Sequence, residues 1–149
     1  MRFKVEAEMV KERKGTVIYI DRPGCEVGNH QSEREAFELY QEGKCDYDLI
    51  ILDPPAFAKH RDALRNALRG YSKLNAKAFE KIKPGGILFT FSCSQVVDKK
   101  DFRNAVFTAA AQSGRSVRIL HQLTQPGDHP VNIYHPEGEY LKGLVLYVE

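Results

Sequence analysis

No apolar run in this chain approaches the length that a membrane-spanning helix needs, and the opening Met1-Arg2-Phe3-Lys4-Val5-Glu6 mixes charge with apolar residues too early for a secretory signal. These absences predict a cytoplasmic protein with no membrane partner. Cysteine is sparse: Cys25, Cys45 and Cys93 are an odd set without a C-x-x-C pair, which argues against a disulfide framework or a zinc site. The five histidines fall at no metal-ligand spacing, so no metal is expected. Charge of one sign is also lacking. A formal net charge of +2 permits a nucleic-acid partner without demanding one, because phosphate binding rests on a concentrated basic face. With no internal repeat, low-complexity tract or linker, the 149 residues read as one domain, and 42% hydrophobic content suits a globular core.

The chain is organised around Tyr47-Asp48-Leu49-Ile50-Ile51-Leu52-Asp53-Pro54-Pro55-Ala56-Phe57. Leu49 to Leu52 is the continuous apolar run of a strand buried on both faces of a parallel sheet. Asp53 then puts a carboxylate at the strand's carboxyl edge, and two prolines stop the ladder because neither has an N–H to donate. Pro55 forces Pro54 into an extended conformation, leaving carbonyl groups without helix or sheet partners. Ligands of open α/β sheets bind just outside the carboxyl ends of strands, so this edge is a candidate site.

Before it, alternation at Phe3, Val5, Ala7 and Met9 and the run Thr16 to Ile20 predict a hairpin. Asp21 and the loop around Gly24 and Gly28 follow, and Ser32-Glu33-Arg34-Glu35 has the capping-box spacing of a helix running to about Glu42. A glycine loop ahead of a helix suits an anionic ligand, but without a G-x-G core it reads first as a plain connection. After the central strand, Leu64, Leu68, Tyr71, Leu74, Ala78 and Ile82 recur at helical spacing. Gly70 predicts two helical pieces joined at Arg69-Gly70-Tyr71, and Lys83-Pro84-Gly85-Gly86 predicts the helix end. Ile87 to Phe91 is a second buried strand, ending in Ser92-Cys93-Ser94. A β-α-β crossover sets it beside the first, so Asp53 and Cys93 are expected at one edge. A helix from Lys99 to Ser113 with Phe102, Val106, Ala109 and Ala110 inward, a strand from Ser116 to Leu120, and an antiparallel return strand from Leu141 to Val148 complete the chain.

Six blocks in order, Leu52-Asp53-Pro54-Pro55-Ala56-Phe57, Arg69-Gly70-Tyr71, Gly85-Gly86-Ile87-Leu88, Phe91-Ser92-Cys93-Ser94, Asp128-His129-Pro130 and Glu137-Gly138-Glu139-Tyr140-Leu141-Lys142-Gly143, resemble the C-terminal half of the bacterial 23S ribosomal RNA cytosine-C5 methyltransferases. Proteins of that family carry an RNA-binding PUA domain ahead of a class I, S-adenosylmethionine-dependent methyltransferase domain. The resemblance covers Tyr47 onward and implies a partial, Rossmann-like α/β fold, mostly parallel with an antiparallel C-terminal strand. Residues 1–46 then form a divergent part and residues 47–149 a catalytic half of a single truncated domain. The family's glycine-rich first motif and ribose-holding acid have no clear match. Asp21 and Gly24 are the nearest candidates, with Asp53 and Pro54, for S-adenosyl-L-methionine. A homodimer is left open.

Cytosine-C5 chemistry suits these residues. Carbon 5 is not nucleophilic until something adds to carbon 6, and a cysteine thiolate is a strong, reversible nucleophile. Cys93 stands at the family's catalytic-cysteine position by resemblance. Asp53 can hydrogen-bond the ring nitrogen or amine, and Phe57 can stack on an extruded base of a ribosomal RNA partner. Pro54, Pro55, His129, Tyr134 and Tyr140 are further candidates for the target pocket. Plainer readings stand beside these: Cys93 as a small buried apolar residue, Asp53 as a turn cap, and Arg61, Arg65 and Arg69 as a solvated helical face rather than an RNA track. A non-catalytic RNA-binding remnant, and an exocyclic-amine methyltransferase using Asp-Pro-Pro without Cys93, remain open.

Overall fold

A computed structural model of the chain describes residues 17–20 and 47–149. Strands β1 (Val17–Ile20), β2 (Tyr47–Leu52), β3 (Ile82–Ser92), β4 (Val117–Leu123) and β5 (Lys142–Val148) form one sheet in the order β1-β2-β3-β5-β4. β1, β2 and β3 run parallel, and β5 is antiparallel to both β3 and β4. Helix α1 (Leu64–Lys81) carries the chain from β2 to β3, and α2 (Lys99–Ser113) carries it from β3 toward β4. A parallel neighbour requires such a crossover, whereas β5 arrives from a loop and pairs antiparallel.

Both helices pack on each other and on one face of the sheet. The alternation of strand side chains puts Ile50 and Leu52 of β2, Leu88 of β3 and Leu144, Leu146 and Val148 of β5 on that face. There they meet Tyr71, Ala78 and Phe79 of α1 and Phe102, Val106 and Ala109 of α2. The buried stripe of α1 is rotated from the one its sequence spacing predicts. Leu64, Leu68 and Leu74 are only partly buried, while Ala67, Asn75 and Phe79 turn fully inward. α2 follows its predicted bounds. Asp98 caps it by accepting a 2.6 Å hydrogen bond from the Asp101 amide, and Gly114 ends it in the left-handed conformation at φ 67°.

Two expectations change. The predicted joint at Gly70 is absent, because α1 runs unbroken through it. Glycine is needed there for close approach: a Cβ would stand 2.9 Å from the Phe57 ring. The helix also ends earlier than Lys83-Pro84-Gly85-Gly86, at Lys81, and Ile82 caps it in an extended conformation rather than a glycine doing so. Those four residues instead form an irregularity at the start of β3, where Tyr47 faces Ile82 but Leu49 already faces Ile87. β1 pairs parallel with β2; its expected hairpin arm at Phe3 to Met9 and the helix at Ser32 to Glu42 lie outside the described residues.

Arg115 replaces the missing glycine cap. Its Nη1 donates at 3.0 Å to the carbonyls of Phe79 and Ile82, and its Nε donates at 2.8 Å to that of Glu149. A helix C-terminus leaves carbonyls unpaired and favours a cation, so one side chain serves both needs. Arg115→Met is expected to lower unfolding stability by about 2 to 3 kcal/mol in urea titration, since three acceptors lose a charged donor.

Candidate functional site

The parallel register that pairs Leu52 with Thr90 brings the carboxyl ends of β2 and β3 to one edge. Asp53 follows one strand and Cys93 the other, so the two predicted residues stand on a shared rim. Asp53 is half-buried, Pro54 buried and Pro55 half-buried. Cys93 is partly exposed and carries no disulfide. Both are close enough for their charges to act on one group, the hydroxyl of Tyr71.

Three contacts hold the backbone around Cys93. The Ser92 hydroxyl donates to the Tyr71 oxygen at 3.0 Å, tying β3 to α1. The Ser94 hydroxyl donates to the Ala58 carbonyl at 2.7 Å, tying the same turn to the segment after the prolines. The Lys142 ammonium donates to the Ser94 carbonyl at 2.5 Å, tying it to β5. Ser92 and Ser94 are 0% and 1% exposed, so the thiol between them sits in a segment pinned on both sides. Tyr71, itself 0% exposed, meets Phe57 at a ring-centroid separation of 4.5 Å and Phe102 edge-on at 5.4 Å.

Phe57 rests one side on Tyr71 and Gly70 and is 38% exposed. An aromatic ring backed in this way offers a platform to a planar ligand. The segment 124–141 contributes unevenly. Gln95 Nε2 donates to the Glu137 carbonyl at 3.5 Å and Lys99 forms an ion pair with Glu139, so the Pro136–Gly138 turn is tied to the chain just after Cys93. Tyr140 is half-buried next to this turn, and its amide donates to Gln125 Oε1 at 3.0 Å. His129 is exposed, its ring 3.7 Å from the Asp128 carboxylate, and no described contact joins it to the rim. Tyr134 is 85% exposed. Arg61, Arg65 and Arg69 are all exposed. Asp21, Gly24, Cys25 and Cys45 lie outside the described residues. Among the described residues no cluster of His, Cys, Asp or Glu could hold a metal ion, and no helix is long and apolar enough to cross a membrane.

Burial pushes the Tyr71 hydroxyl above its ordinary value of 10.0; hydrogen bonds from Ser92 and the Phe57 backbone oppose this, and the charges of Cys93 and Asp53 add to it. Lys142 moves the other way. Burial pulls it below 10.5, against the opposing pull of Cys93 and Asp98, with Lys99 reinforcing the decrease. Tyr71 and Lys142 are the site residues that sequence reasoning missed. Both fall in blocks that carry the family resemblance, but without a role: Tyr71 reads as one more core position in an apolar stripe, and Lys142 as a charge opening an otherwise apolar strand.

No protein-family model matches the chain. It is 42% identical over 127 residues to ribosomal RNA large subunit methyltransferase I of Aeromonas salmonicida, covering 83% of this chain and 32% of that protein. The protein of the same name from Pseudoalteromonas atlantica is 40% identical over 137 residues, covering 92% and 34%. This chain thus spans about a third of the length of the curated relatives it matches. Among solved structures, SMU.776, named as a methyltransferase and crystallised with SAH, superposes with a TM-score of 0.60 at 21% identity, over 76% of this chain and 29% of that one. A SAM-dependent methyltransferase so named from Streptococcus mutans gives 0.59 at 20%, over 76% and 28%. The fold is that of the class I methyltransferases. Its mostly parallel sheet with one antiparallel strand is the architecture expected from the sequence.

Tyr71→Phe leaves the buried Ser92 hydroxyl without its partner and is expected to cost about 1 to 2 kcal/mol at neutral pH. The folded state holds the Tyr71 proton more tightly than the unfolded state does. The stability this provides is complete below the ordinary value of 10.0 and is lost as pH climbs through the raised one. Paired denaturation curves should therefore show the gap between the two proteins closing as pH rises beyond that value.

Proposed function

We propose that the chain is the methyl-accepting half of an S-adenosylmethionine-dependent ribosomal RNA methyltransferase, acting on carbon 5 of a cytosine through a covalent Cys93 adduct. The observation that carries this reading is the rim itself: a partly exposed thiol, held by buried contacts on both sides, beside a carboxylate and a backed aromatic ring. The names of the curated relatives support the substrate class, and the SAH bound in SMU.776 supports the cofactor. Asp53 and Pro54 stand at the strand ends where ligands of open α/β sheets lie, next to β1, so what is described of the bed fits the cofactor. When bound, S-adenosylmethionine supplies an electrophilic methyl group.

The chain's own residues would do the rest. Phe57 stacks on the extruded cytosine and fixes its plane. The Cys93 thiolate adds to carbon 6, forming a sulfur–carbon bond and making carbon 5 electron-rich, while Asp53 either accepts from the amine as a carboxylate or, as the neutral acid, donates to the ring nitrogen where negative charge develops. After carbon 5 is methylated, a base removes its proton. The electron pair re-forms the double bond, and the Cys93 sulfur leaves as thiolate.

The test uses ribosomal RNA in which cytosine is replaced by 5-fluorocytosine. Fluorine cannot leave as a proton does, so a Cys93-dependent covalent protein–RNA complex is expected with cofactor present, and none with Cys93→Ala. On ordinary RNA with tritiated cofactor, Cys93→Ala is expected to reduce transfer by at least about a thousandfold, as for loss of a covalent nucleophile. Retained transfer by Cys93→Ala would select the exocyclic-amine reading. Absence of transfer, trapping and cofactor binding by the unaltered chain, alongside measurable RNA binding, would select the non-catalytic one.

A further inference from the structure

Among the described residues Lys142 is the one lysine, arginine or carboxylate that is buried, at 6% exposure. Burying an ammonium is costly unless paired charge and hydrogen bonds compensate. Its described hydrogen bond goes to the neutral Ser94 carbonyl at 2.5 Å, a bond that an uncharged donor could also make. The negative groups that act on it are Cys93 and Asp98. Cross-strand pairing places Lys142 directly opposite Ser92, and so beside the segment that presents the thiol.

We propose that Lys142 is a positioning residue for Cys93: its ammonium fixes the Ser94 carbonyl next to the thiol and is the positive charge against which the thiolate forms. The inference rests on the reading of Cys93 as nucleophile. The groups facing this pair come from every neighbouring element. The Tyr71 hydroxyl of α1 feels both the thiol and Asp53 after β2, each of which disfavours negative charge on it. Asp98 and Lys99 at the start of α2 act on Lys142 with opposite signs. Arg103 lines the same shallow cleft as Lys142. Ser92 and Ser94 spend their hydroxyls on Tyr71 and Ala58, and among the described residues Lys142 is the cationic group bonded to the thiol's own turn.

The test is alkylation of Cys93 by iodoacetamide in the full chain, followed across pH by mass spectrometry of the Cys93 peptide so that Cys25 and Cys45 do not contribute. Lys142→Gln keeps a donor for the Ser94 carbonyl and removes the charge. Folded by circular dichroism, it is expected to alkylate about tenfold more slowly at neutral pH, with the profile displaced to higher pH. Lys142→Arg should keep most of the original profile. An unchanged profile in folded Lys142→Gln overturns the proposal, whatever its methyl transfer. If glutamine unfolds the chain, arginine decides: a folded variant that keeps the profile supports the assignment, and one that loses it overturns it. Failure of the underlying reading is separately visible, as methyl transfer retained by Cys93→Ala.

Discussion

The hydroxyl-to-hydroxyl contact between Ser92 and Tyr71 is the constraint on which the site depends. It joins the end of a central strand to the middle of the helix that covers it, inside a region closed to water. In such surroundings an unmet hydroxyl is expensive, so the two groups hold each other in register. Tyr71 is fixed independently, edge-on to Phe102 and tilted against Phe57. The strand terminus therefore inherits the rigidity of the helix pair. A reactive group on a loop would have no such support.

The helix and strand contacts also explain why the motif is serine, cysteine, serine. One serine reaches α1, and the other reaches back to the segment that leaves β2. Each tie is short but links residues distant in sequence, and together they bind the ends of two adjacent parallel strands. The residue between them keeps partial exposure without freedom of backbone. That combination suits a group which must meet a ligand at one fixed position.

Much of this was legible beforehand. Leu49 to Leu52 and Ile87 to Phe91 announce buried strands by their unbroken apolar character, and a helix between them dictates parallel pairing, which brings Asp53 and Cys93 to one rim. α2 keeps the bounds expected of it, with Asp98 and Gly114 capping its two ends. Gly70 misled because its small size serves the Phe57 ring, a tertiary contact that a local signal cannot report. The helix terminus misled for a similar reason: Arg115, distant in sequence, does what a cap would otherwise do. Lys142 escaped notice because its meaning comes from the turn it faces across the sheet.

One property of the topology bears on how the molecule is made. β5 is the final described strand, yet it lies between β3 and β4 and supplies Lys142 to the rim. On a ribosome, the earlier strands and both helices emerge with a vacant slot in the sheet, and β3 waits with one edge unpaired. Pairings so far apart along the chain close slowly, and open strand edges attract other chains meanwhile. The rim around the thiol is thus among the last parts to mature, and a nascent chain stalled before Lys142 would hold the sulfur without its surroundings.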